Sequence, residues 1–282
     1  MKLDFRKAAV LSFKYSICIR KLPYYFLFQI FALLLIFSPL LNLVEISYDS
    51  GLFQNKIPDP RIVDFIVESF GYFFLAIILV LILSSVVTPT LIYNYVQYRN
   101  KKDDTLMHSL KQAKPHILTV FGAFITLAFL INIISGIISM ITSTLGTIVS
   151  LLMALAFIFV IPDIIIRKSS ISKSLASSYS CTRKNIFEVI GMYFLISFFS
   201  LVVTLFFGIP LIMVLSQSLA PLFEMLNAGG SYAILFPAFI SMVKAKADLY
   251  IVSIITLLLG NSISRLFSTA FITEIYLQML KK

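Results

Sequence analysis

Few residues in this chain are of a type that does chemistry, and most of those sit in or beside long apolar runs. Arg265 lies deep inside one such run, with Asn261 one helical turn before it. A guanidinium at the bilayer centre costs roughly 2.5–3.5 kcal/mol on insertion scales, so it calls for a partner or a purpose. Glu188, Glu274 and Asp163 are the acids able to pair with it. As a group these residues suit recognition of an anionic moiety or passage of a polar solute. The competing reading is an arginine that snorkels to the headgroups or closes a structural ion pair.

A second concentration runs from Pro162 to Gly191, PDIIIRKSSISKSLASSYSCTRKNIFEVIG. Arg167, Lys168, Lys173, Arg183 and Lys184 stand there among hydroxyls, a set that suits electrostatic contact with lipid phosphates. The same hydroxyls also serve to cap helices and hold them against their neighbours. Asp64 and Glu68, one turn apart, have the spacing of a cation site, but with Arg61 nearby they read as solvated helix-face charges. His108 and His116 have no acid or thiol at ligand spacing and read as interfacial side chains. Cys18 and Cys181 form no CxxC pattern and read as unpaired thiols. HExxH, GxSxG, the P-loop, the dinucleotide fingerprint and a paired-carboxylate site are all missing. We therefore expect neither an enzyme nor a cofactor.

The elements that must position these residues follow from composition. The 282 residues are 59% hydrophobic and 13% charged, against about half and a quarter in soluble domains. An all-α membrane protein is implied. Apolar runs place six spans at about 23–44, 70–95, 117–141, 145–166, 186–215 and 249–275, all in a single membrane domain. Gly208 and Pro210 predict a kink in the fifth span, and Ser216 to Asp248 reads as an external segment. Its apolar piece, Tyr232 to Val243, is too short to cross and is interfacial or re-entrant. Ser135, Ser139 and Ser143 recur every four residues on the third span, which predicts close helix packing, with a polar path as the alternative.

The net charge of +10 does not point to nucleic acid, because the cations cluster between apolar runs. The segments 1–22, 99–116, 167–184 and 281–282 hold 18 of the 23 Lys and Arg. The positive-inside rule places these four segments, and both termini, in the cytoplasm of a plasma or inner membrane. The expected partners are the bilayer itself, with anionic lipid on the cytoplasmic face, and a membrane-protein partner or a second copy of the chain.

Three times the chain runs from a basic segment through a breaker (Pro23, Pro115, Asn185) into a long span, an external connection and a returning span. The first two segments carry apolar stripes, Phe5-Ala9-Phe13-Ile17 and Leu106-Leu110-Ala113-Ile117. In the third, Ile171, Leu175, Ser178, Tyr179, Thr182 and Ile186 share a face. The pattern predicts three helical hairpins, each preceded by a short cytoplasmic interfacial amphipathic helix; common descent and convergence on one physical design both account for it. All three start from the same side, unlike the inverted repeats of many secondary transporters. A non-enzymatic protein of membrane organisation, lipid handling or assembly is the leading expectation. The alternative is a small-solute or lipid transporter or channel using the polar face of the last span.

Within Ser172 to Gly191, the residues Leu175, Ser178, Tyr179, Thr182 and Asn185 resemble a motif of one group of polytopic membrane proteins. In it a span ends in Pro, a short basic turn follows, and Ala-Leu-x-x-Ser-aromatic leads to Thr and Asn before the next span. The group comprises the membrane domain found beside some glycerophosphodiester phosphodiesterases and the YciC-like inner-membrane proteins. Pro162 suits the preceding Pro, Ser174 replaces the usual Ala, and Thr269 to Leu277 resembles the group's closing pattern. The resemblance covers about thirty residues well and the rest diffusely. It implies a helical membrane domain of unassigned activity, the phosphodiesterase chemistry belonging to a separate soluble domain.

Overall fold

The computed structural model describes residues 3–18, 21–49, 60–102, 105–227, 238 and 241–281, with the side chains of 36–49 and 60–69 outside that description. Among the described residues the chain is helical and contains no strand. In order the helices are α1 (Phe5–Ser16), α2 (Leu22–Asp49), α3 (Pro60–Arg99), α4 (Leu106–Ala113), α5 (Ile117–Ser139) and α6 (Ser143–Ala156). They continue as α7 (Val160–Arg167), α8 (Ile171–Lys184), α9 (Ile186–Asn227) and α10 (Ala247–Met279).

Local chemistry explains several boundaries. Asp4, Thr105 and Thr142 start α1, α4 and α6, each accepting a main-chain N–H three residues on, at 2.8, 3.3 and 3.3 Å. Pro23 stands in the first turn of α2, where a missing N–H costs nothing. Pro115 occupies a 3-10 turn, Lys114–His116, that leads α4 directly into α5. Asn185 ends α8, its amide donating to the Cys181 carbonyl at 2.9 Å.

Five stretches are long and apolar enough to cross a membrane: Phe70–Arg99, Leu106–Ser139, Ser143–Arg167, Ile186–Asn227 and Ala247–Met279. The described apolar part of α2, Leu22–Leu35, is shorter. The rest of the first expected span lies where side chains are not described, as do Asp64 and Glu68, and 232–243 is largely outside the described residues. A chain with several such helices is a polytopic membrane protein.

The helices depart from expectation in three places. The polar residues from Pro60 onward already belong to α3. The segment read as external from Ser216 is still helix as far as Asn227, and α9 continues through Pro210 and Pro221. A proline removes one helical bond, whereas unwinding in an apolar medium would leave many backbone groups without water or partner. The expected fourth span is two helices, broken at 157–159 between α6 and α7.

The chain forms two compact units. One comprises Met1–Tyr25, Leu81–Leu201 and Ile263–Lys282; the other comprises Phe26–Val80 and Val202–Ser262. In the first unit one core gathers Ala8, Leu155, Phe159, Met192, Phe271 and Ile275, and another gathers Ile92, Val120, Ala123, Val160 and Ile164. α5 and α6 approach closely, as the serine stripe predicts: a Cβ on Gly146 would stand 2.9 Å from the Ser135 carbonyl oxygen and would collide with Ser139. In the second unit Gly260 meets the Phe207 side chain in the same way, its Cβ position lying 2.6 Å from that of Phe207.

Candidate functional site

The first unit holds two wholly buried acids, on α7 and α10. Glu274, 1% exposed, lies with Oε2 2.6 Å from Arg99 Nε at the end of α3. The same oxygen accepts the Tyr95 hydroxyl at 3.1 Å, and Oε1 accepts from Gln278 at 3.2 Å. Gln278 in turn accepts the Asp4 backbone N–H at 2.9 Å, which ties α1 to α10. A buried carboxylate without such partners would be strongly destabilising, so α1, α3 and α10 are held in one arrangement.

Asp163, 0% exposed, forms the second centre. Its Oδ1 accepts the Tyr276 hydroxyl and that of Ser177 at 3.1 Å, with Arg167 Nη1 at 3.6 Å. Tyr276 stacks on Phe159 at 5.5 Å. Glu274 and Tyr276, two residues apart on α10, thus bind α3 and α7 respectively.

The break between α6 and α7 is stabilised by the hydroxyl motif of α8. Pro162 has no N–H to continue the helical ladder across 157–159. The Ser178 hydroxyl donates to the Ala156 carbonyl at 2.9 Å and accepts the Phe159 N–H at 3.2 Å. Thr182 donates to the Leu155 carbonyl at 3.3 Å. Ser174, Ser178 and Thr182 form the buried face of α8. Tyr179, expected on that face, is 52% exposed. Small hydroxyls, unlike a ring, let α8 come close enough to reach main-chain groups.

A third group joins α1, α3 and α4. The Tyr15 hydroxyl donates to the Leu91 carbonyl at 3.2 Å with Asn94 Oδ1 at 3.3 Å, and Asn94 donates to Ser109 at 3.2 Å. Burial, reinforced by Cys18 and Tyr95, raises the Tyr15 phenol above its ordinary range and keeps it a neutral donor. Lys21 Nζ lies 4.4 Å from the centres of both the Tyr15 and Tyr98 rings. The buried faces of α1 and α4 are Ala8-Ser12-Tyr15-Ser16 and Ser109-Ala113. Of the expected apolar stripe on α1, Phe13 and Ile17 are about half exposed instead. Phe5 and Ala9 pack against the first core, and the Phe13 ring meets Phe199 edge-on, so much of that stripe also faces protein.

The residues singled out from sequence are brought together only in part. Arg265 is exposed, Glu274 pairs with Arg99 and Asp163 with Arg167, and Glu188 is half-buried at the start of α9. Asn261, in the second unit, donates to Gln29 Oε1 at 3.1 Å. Arg167, Lys168, Lys173, Arg183 and Lys184 are all exposed. His108 is exposed and bonds Gln112 at 2.7 Å, whereas His116 lies half-buried near the Tyr93 ring. Cys181 Sγ lies 3.3 Å from Met279 Sδ. Sequence reasoning missed Arg99 and Tyr95 as partners of Glu274. The available signal was the Glu-Ile-Tyr triplet at 274–276, two polar groups at the end of an apolar helix.

The arrangement can fix helix ends and present cations. Among the described residues no three His, Cys, Asp or Glu gather to hold a metal. Compared with family models, curated proteins and solved structures, the chain matches none of them.

Proposed function

We propose that this chain is a non-enzymatic protein of the plasma or inner membrane that organises or handles lipid, alone or with membrane partners. In this reading six spans form three hairpins, each introduced by a basic surface helix (α1, α4, α8), with both termini cytoplasmic. The resemblance to the glycerophosphodiester phosphodiesterase membrane-domain and YciC-like group supports it. A further copy of the chain or another membrane protein is the expected protein partner.

One observation carries the reading. Of the acids near the basic helix ends, Asp163 and Glu274 are buried and committed to Arg167, Arg99 and tyrosines, while Lys168, Lys173, Arg183 and Lys184 remain exposed and outnumber the exposed Asp4 and half-buried Glu188. What these ends offer to the outside is therefore cationic, and anionic headgroups are the complementary surface. Native mass spectrometry of the intact protein from mixed lipid should retain anionic species over zwitterionic ones. Lys173→Gln, Arg183→Gln and Lys184→Gln together should abolish the preference. Equal retention by the unmodified protein would sink the proposal, and a reporter at either terminus detected outside the cell would sink its topology.

The second reading, a transporter or channel, draws on the Asn261–Gln29 pair among apolar helices. Cysteines placed along α10, in a chain lacking Cys18 and Cys181, would react with aqueous thiol reagents on the Asn261 face if a water path existed. Uniform protection removes this reading.

A further inference from the structure

We infer that the groove between α5 and the α7–α8 junction seats one anionic phospholipid, its phosphate at Lys168 and His116 and an acyl chain along Leu118 and Leu175. This rests on the lipid-contacting reading above and narrows it to one place. The groove is open, with a volume of about 850 Å³, and lies wholly in the first unit. That volume falls within the roughly 300–1,000 Å³ of small-molecule sites.

The groove exists because of residue size. α5 lines it with Thr119 and Thr126, and between them Gly122 lets Ile171 of α8 come close, with 3.1 Å from Ile171 Cδ1 to where a Cβ would stand. The Thr126 hydroxyl is already committed to the Gly122 carbonyl at 2.8 Å. Lys168 ends α7 in the left-handed conformation, φ 54°, and Ser170 is extended before α8 begins.

Charge complementarity selects the occupant. His116 and Lys168 line the polar side together with the hydroxyls of the α7–α8 linker. No acid stands in the first turn of α8, and the Ser170 side chain makes no cap bond to its N–H groups. Asp163, four residues before α7 ends, is buried, turned inward to Tyr276 and paired with Arg167, so the charge exposed at the groove is that of Lys168. The field in the groove is thus positive, strengthened by the start of a 14-residue helix. Leu118, Ile171 and Leu175 give the groove an apolar lining as well, and Leu118 at 80% exposure gains nothing from a soluble anion but would cover an alkyl chain.

The chain contains no Trp, so Leu118→Trp introduces a single indole reporter at the groove. Phe198→Trp, on the exposed side of α9, reports ordinary surrounding lipid. The full chain would be reconstituted in phosphatidylcholine containing brominated phosphatidylglycerol or brominated phosphatidylcholine as quencher. At the Leu118→Trp reporter the anionic lipid should associate about fivefold more strongly than the zwitterionic one, the effect of one well-placed cation. At Phe198→Trp the ratio should stay near one. Lys168→Gln should remove the preference at the groove and Lys168→Arg should keep it, which separates lost charge from lost fold. Millimolar inorganic phosphate should not compete. Competition by phosphate would make the groove a site for free anions and overturn the lipid assignment. Equal preference at both reporters would overturn the groove while leaving the general anionic-lipid reading intact. No preference at either reporter would overturn both.

Discussion

The unit formed by Phe26–Val80 and Val202–Ser262 and the unit formed by the rest of the chain draw on the same helices, α2, α3, α9 and α10, but satisfy their polar groups differently. In the former, buried Ser218, Ser253 and Ser262 each donate to a carbonyl four residues back on their own helix, at 3.0, 2.7 and 2.8 Å. Such bonds say nothing about which helix lies alongside. In the latter, Ser85, Thr90 and Thr273 do the same, but other buried groups reach between helices: Glu274 to Arg99 and Tyr95, Asp163 to Tyr276 and Ser177, Asn94 to Ser109, and Ser178 to the main chain of 156–159. Lipid tails are as apolar as leucine and can replace helix–helix apolar contacts, whereas they cannot replace a hydrogen bond. Helix arrangement should therefore be specified mainly where the polar bonds cross. In the other unit Asn261–Gln29 is a crossing bond of this kind.

The sharpest way to break that comparison is Glu274→Ala. Removing one partner of a buried ion pair typically costs about 3–5 kcal/mol, so thermal unfolding in detergent should show a large loss of stability or of folded yield. A near-neutral result would mean that the crossing bonds do not hold the unit. Next in size is a matched pair, Ser178→Ala and Ser218→Ala. The first strands the Phe159 N–H, while Thr182 stays within 3.4 Å of the Ala156 carbonyl, and should cost about 1–3 kcal/mol. The second removes only a bond back to its own helix and should stay within about 0.5 kcal/mol, since the carbonyl it leaves keeps its helical partner. Equal effects would erase the distinction between the units.

Lys21→Met tests the aromatic seat at the end of α1. It should cost about 0.5–2 kcal/mol, the range for a cation over rings, and Lys21→Arg should recover much of it. The smallest effect is expected for Arg265→Ala, where an exposed side chain is lost and the melting temperature should move little, within about 0.5 kcal/mol. If growth and expression also stay unchanged, a functional role for Arg265 is removed. If function falls while stability holds, the arginine regains the importance its depth in the sequence suggests.

How much was legible beforehand depended on the range of the interaction. The long apolar helices were, because length and hydropathy are summed over some twenty neighbouring residues. Pro23, Pro115 and Asn185 marked real boundaries because their effects are confined to the backbone beside them. The break at 157–159 was not legible: MALAFIFVIP is apolar throughout, and what stabilises the break is Ser178 and Thr182 more than twenty residues away. Ser178 and Thr182 were correctly placed on one face of α8, but Tyr179 was added to it because periodicity cannot tell a docking face from a lipid-facing one.

Taken alone, the sequence determined that this is an all-helical polytopic membrane protein, where most of its helices start, and that its cations gather in short segments between apolar runs. These are consequences of solvent preference and local backbone chemistry, which each residue carries wherever the chain goes. Only the tertiary structure decided that Glu274 belongs to Arg99 and Asp163 to Tyr276, leaving Arg265 exposed. A buried charge takes whichever partner packing brings within about 3 Å, and that choice is made between helices far apart in the chain.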